Sequence, residues 1–106
     1  MSELIWQAQA LADRQAIVAL LAEQSSADAI NWDHDLTAKL AQAAANPALL
    51  PAGRVAGTLE LVLLPHYLVV FQQPSAQAPL RVLRIVHSSK TWPQARSLAP
   101  GALSFS

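Results

Sequence analysis

The residues with the clearest chemical potential lie near the end of the last apolar stretch of the chain, in RVLRIVHSSKTWP, residues 81 to 93. Arginine and lysine bind anions, and a guanidinium pairs with a phosphate or a carboxylate through two parallel hydrogen bonds. His87 carries an imidazole, the side chain best suited to proton transfer near neutral pH. The segment therefore has two interpretations: it contributes to an active site for a charged substrate, or it only completes a β-sheet.

A second group of polar residues, the sequence DHD at Asp33, His34 and Asp35, contains side chains that ligate metals. The apolar spacing around it is helical, and consecutive helical residues point about 100° apart, so the three side chains cannot converge on one ion. We interpret this group as a solvated helix face. We expect neither a bound metal nor a cofactor.

The composition favours a role in protein binding. Apolar residues make up 53% of the 106 residues and charged residues 13%, about half the share in an ordinary soluble domain. A domain of this size cannot bury so much apolar surface, and contiguous exposed apolar area usually marks a contact with another chain. The formal net charge is zero, so a nucleic-acid contact would need a local basic patch.

The sequence also bears on where the protein works. It has no cysteine, which excludes disulfides and thiolate metal sites. The longest apolar run, residues 59 to 71, is interrupted by Glu60, Pro65 and His66 and is shorter than the roughly 20 residues of a membrane span. The start, MSELIWQAQ, has an acid where a secretion signal has basic residues. We expect a cytoplasmic protein with no membrane contact.

The candidate residues depend on predicted elements for their position. Residues 3 to 6 predict a short strand, and the apolar spacing that follows predicts a helix of about four turns. One face of this helix carries Ala10, Arg14, Ile17 and Leu21. Ser25 or Ser26 is expected to cap a second helix, with Asp28 in its first turn, and Pro47 stops that helix. Its apolar face comprises Ala29, Trp32, Leu36, Leu40 and Ala43.

Beyond residue 57 the apolar period changes to two. This predicts three strands at about Thr58–Leu64, Tyr67–Gln72 and Leu80–His87, joined by short connections. The β-α-α-β-β-β order predicts an α+β domain, in which a helical hairpin packs on one face of a mainly antiparallel four-stranded sheet and the other face is more open. We assign residues 1–93 to this domain and residues 94–106 to a C-terminal tail.

Two segments, GRVAGTLELVLLPHYLVVFQ and LRVLRIVHSSKTWP, resemble the pattern of the RelE/ParE superfamily of bacterial toxins, and IWQAQALADRQAIVALLAEQ is similar to its first strand and helix. The resemblance covers about residues 4 to 93 and implies the RelE/ParE-like fold. It also implies the toxin of a type II toxin–antitoxin module, held inactive in a hetero-oligomer by a cognate antitoxin protein. RelE-like members of the superfamily cut messenger RNA on the ribosome, whereas ParE-like members poison DNA gyrase and are not nucleases.

For a nuclease, the catalytic candidates are Arg54, Arg84 and His87, which stand at positions that resemble the family's, and Lys90, a shifted replacement for a missing cation. Such a site needs groups that transfer protons and cations that hold the phosphate. Each of the first three also has a structural interpretation. Arg54 is then a solvated loop residue, Arg84 forms a salt bridge to Glu60, and His87 is hydrogen-bonded at the end of the sheet. Strict alternation places Arg84 and His87 on opposite faces, so a joint role requires the strand to bulge or end near Val86.

Departures from the family pattern decide between the activities. Leu59 stands where relatives often have arginine, and Ser88, Ser89 and Lys90 replace a common Thr-Arg-Gln, so Lys90 is only a shifted substitute for a lost cation. Tyr67 is expected in the core. We therefore favour a ParE-like inhibitor of DNA gyrase. The alternative is a RelE-like, ribosome-dependent and metal-independent messenger-RNA endonuclease, and a weakened toxin or a plain protein-interaction module is a further alternative.

Overall fold

The computed structural model describes residues 3–63 and 65–88, which form two helices and four strands. In chain order these are β1 (Leu4–Trp6), α1 (Ala8–Gln24), α2 (Ser26–Ala45), a short 3-10 helix (Pro47–Leu49), β2 (Thr58–Leu63), β3 (Tyr67–Gln72) and β4 (Leu80–His87). The predicted α+β class and β-α-α-β-β-β order are confirmed, and the 3-10 turn is an addition. The proposed boundary at residue 93 lies outside the described residues.

The sheet has the strand order β1-β4-β3-β2. The β2–β3 and β3–β4 pairs are antiparallel, whereas β1 runs parallel to β4 and pairs only with Leu80, Arg81 and Val82. The backbone N–H of Gln7 extends this pairing by donating to the carbonyl oxygen of Val82 at 2.9 Å. In the described part of the chain, no strand covers the edge of β4 beyond that point.

A single extended residue, Ser25, joins the two helices. Its backbone N–H donates to the carbonyl oxygen of Leu21, which closes α1 at 2.8 Å. Its hydroxyl accepts a hydrogen bond from the backbone N–H of Asp28 at 3.2 Å, which caps α2 as the sequence predicts. The hairpin is tight because one serine both ends the first helix and begins the second.

The main core lies between the helices and one face of the sheet. All five residues predicted for the apolar face of α2 are buried, whereas α1 buries only Ala10 and Ile17. Helix α1 therefore leaves apolar side chains accessible to solvent. Leu11 is 43% exposed and Leu20 is 51% exposed. The sheet contributes Leu63, Tyr67, Val69, Phe71, Leu80, Val82 and Ile85.

The opposite face of the sheet carries a second apolar cluster, Leu68, Val70, Leu83 and Val86. These side chains are at most 9% exposed. The prediction of a more open face is therefore wrong at its centre and holds at its margin, where Val62 is 59% exposed. The two central strands are apolar on both faces, the pattern of strands buried on both sides.

A β-bulge changes the faces of β4. Val70 pairs with Arg84 and Phe71 pairs with Val82, which leaves Leu83 as the extra residue. Strict alternation predicts Leu83 and Ile85 on one face and Val82 and Val86 on the other. This is wrong because the bulge shifts the phase, so that Val82 and Ile85 join the main core and Leu83 joins Val86.

None of the helices in the described residues is long and apolar enough to cross a membrane.

Candidate functional site

Arg84 lies directly after the bulge and is bound by a carboxylate from α1. Its Nε donates to Oδ2 of Asp13 at 2.8 Å and its Nη2 donates to Oδ1 at 3.3 Å, so the guanidinium is held by both carboxylate oxygens. The Arg84 side chain is 25% exposed and that of Asp13 is 12% exposed. The salt bridge expected for Arg84 therefore exists, but its partner is not Glu60.

The strand order places β3 between Glu60 and Arg84. Glu60 on β2 is opposite Val70, and Val70 is opposite Arg84 on β4. Two strand spacings, about 10 Å, separate the backbones that carry the two charges. No strand lies between Asp13 and Arg84, because α1 contacts β4 directly.

Asp13 also protects the uncovered edge of β4. Its Oδ2 accepts a hydrogen bond from the backbone N–H of Ile85 at 2.9 Å. This N–H lies beyond the end of β1, where no strand of the described chain could accept it. One carboxylate therefore neutralises Arg84 and satisfies a backbone donor of the central sheet.

His87, at the end of β4, belongs to a cluster of rings. Its imidazole meets the Tyr67 ring edge-on at 5.2 Å between centroids and stacks on His66 at 5.5 Å with 19° between the planes. Tyr67 in turn meets Trp32 edge-on at 5.4 Å. Burial raises the pKa of Tyr67, so its phenol is neutral at physiological pH. As expected, this tyrosine belongs to the core.

A groove of about 310 Å³ lies between α1 and the end of β4. Arg84 and His87 both line it. Beyond the bulge they are opposite Val70 and Tyr67 of β3, three positions apart, and so belong to opposite faces of the strand. The bulge lies before Arg84, not near Val86 as a joint role was expected to require. The two residues meet at one groove because it opens along the edge of β4 that β1 leaves uncovered. Ile17, Leu20 and Tyr67 are among its apolar walls.

Arg54 lies in the loop before β2, away from this groove. Its backbone N–H donates to Oε2 of Glu60 at 2.9 Å, and its Nε lies 3.7 Å from Oε1 of the same carboxylate. Arg54 therefore already has an acidic partner from the adjacent strand, and the structure does not bring it to Arg84 and His87. Lys90, the fourth candidate, lies outside the described residues.

A third arginine pairs across the helical hairpin. Nε and Nη2 of Arg14 on α1 donate to the two carboxylate oxygens of Asp33 on α2, at 2.7 and 2.9 Å. The Arg14 guanidinium also lies 5.3 Å from the centre of the Trp6 ring. These hydrogen bonds lower the pKa of Asp33 and raise that of Arg14. Asp33 is thus part of a structural ion pair and not of a freely solvated face.

The residue that sequence reasoning missed is Asp13. It stands 71 positions before Arg84, and no local spacing links the two. A polar residue within the first apolar helix, close to the predicted inward face, was the one available signal. In residues 3–63 and 65–88, no group of three or more acidic, histidine or cysteine side chains is placed to hold a metal ion.

Residues 4–92 match the model of a family described as the ParE toxin of the type II toxin–antitoxin system parDE. No curated protein sequence matches the chain.

Proposed function

Because the chain belongs to the ParE toxin family of type II toxin–antitoxin systems, we propose that its cellular target is DNA gyrase. The toxin acts by binding that enzyme, does not cleave RNA, and is neutralised by a cognate antitoxin. Toxin, antitoxin and target then meet in the cytoplasm, where the bacterial chromosome lies.

The pairing of the candidate arginines carries the proposal. Arg84 is bound by both oxygens of Asp13, and Arg54 is within ion-pair distance of Glu60. A phosphate could use either guanidinium only by competing with a carboxylate that the fold already positions. For Arg84, the displaced carboxylate would also leave the N–H of Ile85 without its acceptor. A surface that binds a protein partner does not require either carboxylate to be displaced from its arginine.

Exposed apolar side chains supply that surface. Leu20 on α1 is about half exposed and lines the groove beside β4, which has further apolar walls from the same helix. Exposed apolar area is the usual sign of a contact with a partner chain.

A second candidate, messenger-RNA cleavage, is favoured by one observation. The groove between α1 and β4 brings together a guanidinium, an imidazole and a phenol, from Arg84, His87 and Tyr67. These are groups that could hold a phosphate and transfer protons. The two functions are therefore separated best by a substitution that removes the imidazole and leaves the ion pair intact.

The test is expression of the toxin without antitoxin, comparing the wild-type chain with His87→Ala. For a gyrase inhibitor, both chains should cause DNA breaks and filamentous growth with intact messages, and both should inhibit supercoiling by purified gyrase. Arg81→Ala is a matched control on the same strand. Among the described residues, the Arg81 guanidinium hydrogen-bonds only to the exposed side chain of Gln7, at 3.2 Å. Copurification with the antitoxin checks that each variant is folded.

Two results would refute the gyrase proposal. One is normal supercoiling by purified gyrase at a large excess of folded wild-type toxin. The other is cleavage of messages by the wild-type chain that His87→Ala abolishes while antitoxin binding persists, which would establish the nuclease instead.

A further inference from the structure

The second apolar cluster lies on the face of the sheet opposite the helices, yet it is buried. It consists of Leu68, Val70, Leu83 and Val86, whereas the helices contribute to the main core on the other face. Val70 is 0% exposed, and none of the four exceeds 9%. Side chains on a bare sheet face remain in contact with water, because only the neighbouring strands shield them. A further segment must therefore lie over the cluster.

Val62 shows how a side chain on this face is exposed without such cover. Leu61 and Leu63 belong to the main-core side of β2, so alternation places Val62 on the second face. It is directly opposite Leu68 of the cluster, yet Val62 is 59% exposed and Leu68 is 6% exposed. An edge position alone does not explain the difference, because Val86 lies on β4 beyond the end of β1 and is only 8% exposed.

The described residues do not supply the cover. Among residues 3–63 and 65–88, every member of the cluster comes from β3 or β4, and no partly buried apolar side chain packs against it. The chain leaves β4 at His87 and continues through residues 89–106, which lie outside the described residues. Residues 1–2 and 64 are too few to cover two strands.

Residues 89–106 have the length and the composition that this cover requires. At about 3.3 Å per residue, an extended chain of this length reaches about 60 Å, whereas neighbouring strands are about 5 Å apart. The segment has no acidic residue, so a fold-back would desolvate no carboxylate. Its large apolar side chains are Trp92, Leu98, Leu103 and Phe105.

We propose that residues 89–106 fold back over the second apolar cluster, with Trp92 as the main contact. Trp92 is the first large apolar residue after β4, and an indole buries about 150–250 Å², enough to shield several aliphatic side chains. The domain then continues beyond residue 93, and this face of the sheet is closed to antitoxin and target. The proposal does not depend on gyrase being the target.

The first test is an NMR experiment on the full wild-type chain with labelled methyl groups. The indole ring protons of Trp92 should show nuclear Overhauser effects to the methyl groups of the second apolar cluster. The chain has three tryptophans, and Trp92→Phe identifies the signals that matter. Trp6 and Trp32 are internal controls, because both pack on the main-core side and should show no effect to this cluster.

The second test uses the absence of cysteine from the sequence, because one introduced thiol then reports on the cover. Leu83→Cys should react with a maleimide at least roughly tenfold more slowly than Val62→Cys, since a buried thiol reacts only through local opening. Adding Trp92→Ser should accelerate Leu83→Cys at least roughly tenfold. Gln94→Ser, a polar change in the same segment, should leave its rate unchanged. Ala43→Cys, in the main core, should stay slow with Trp92→Ser, which separates loss of cover from unfolding.

Three outcomes would overturn the proposal. One is the absence of any Overhauser effect between Trp92 and the cluster in the wild-type chain, a measurement that no variant can spoil by failing to fold. Another is a rate for Leu83→Cys that Trp92→Ser leaves unchanged. The third is a rate for Leu83→Cys that falls as the protein concentration rises, because a second copy of the chain would then supply the cover.

Discussion

Replacing Asp13 with alanine tests whether one carboxylate secures α1 to the central sheet. Asp13 accepts hydrogen bonds from Nε and Nη2 of Arg84 and from the N–H of Ile85, at 2.8, 3.3 and 2.9 Å. Alanine removes all three acceptors and leaves the Arg84 guanidinium, only 25% exposed, without its counterion.

The magnitude follows from the degree of burial. An exposed ion pair contributes about 0–1 kcal/mol, and removing one partner of a fully buried pair costs about 3–5 kcal/mol. The Asp13–Arg84 pair lies between these limits, and a hydrogen bond to a charged group contributes about 1.5–3 kcal/mol. We therefore expect Asp13→Ala to lower the free energy of unfolding by about 2–4 kcal/mol.

Urea unfolding followed by circular dichroism measures this change. With a slope of about 2 kcal/mol per molar urea, the middle of the range for small domains, the midpoint should fall by about 1–2 M. Asp13→Asn keeps an oxygen that can accept from the N–H of Ile85, so it should lose about half as much as Asp13→Ala. Glu23→Ala, on an exposed position of the same helix, should change the free energy of unfolding by no more than about 0.5 kcal/mol.

The reasoning is refuted if Asp13→Ala loses no more stability than Glu23→Ala. It is also refuted if Asp13→Asn and Asp13→Ala lose equal amounts, because the Ile85 hydrogen bond would then contribute nothing.

Two further predictions concern the core. Burial raises the pKa of Tyr67, the one tyrosine of the chain, above its usual 10.0. The neutral phenol therefore contributes fully to stability below pH 10.0, and this contribution is lost as the pH rises through the raised pKa. In alkaline solution, the free energy of unfolding should fall by less in Tyr67→Phe than in the wild-type chain. Tyrosinate absorbance measures the titration of Tyr67 directly. An equal fall in both chains would assign the loss of stability to other groups. Leu36 is fully buried on α2, so Leu36→Ala should cost about 2–5 kcal/mol. Leu49 is 81% exposed, and Leu49→Ala should cost under about 0.5 kcal/mol in the same urea assay; similar costs for the two would contradict the assignment of the core.

The elements that could be predicted are those with a strong period of their own. The five apolar positions of α2 recur at helical spacing and all are buried, and Ser25 caps the helix because its hydroxyl stands three residues before a backbone donor. The predicted bounds of β3 and β4 match the structure because turn residues flank each apolar run. Local chemistry determines these features, so a local pattern reveals them.

The candidate site could not be predicted in the same way, because it depends on contacts between distant segments. The bulge at Leu83 has no glycine or proline to mark it, and the phase of β4 changes there. Asp13 and Arg84 are 71 positions apart, and their pairing requires α1 to lie against β4. A period of two therefore predicted the strand correctly and assigned several of its side chains to the wrong faces.

The neutral net charge acquires a structural meaning from these pairs. Arg14, Arg54 and Arg84 each have a carboxylate partner from another element, so the charges cancel within the fold and do not form a basic face. For Arg84 the cancellation also satisfies a backbone donor, which makes the carboxylate costly to replace by a phosphate. A chain that binds its partners through apolar surface does not require a phosphate to replace this carboxylate. The same arginine that suggests a phosphate clamp in the sequence therefore serves, in the folded chain, to hold α1 against β4.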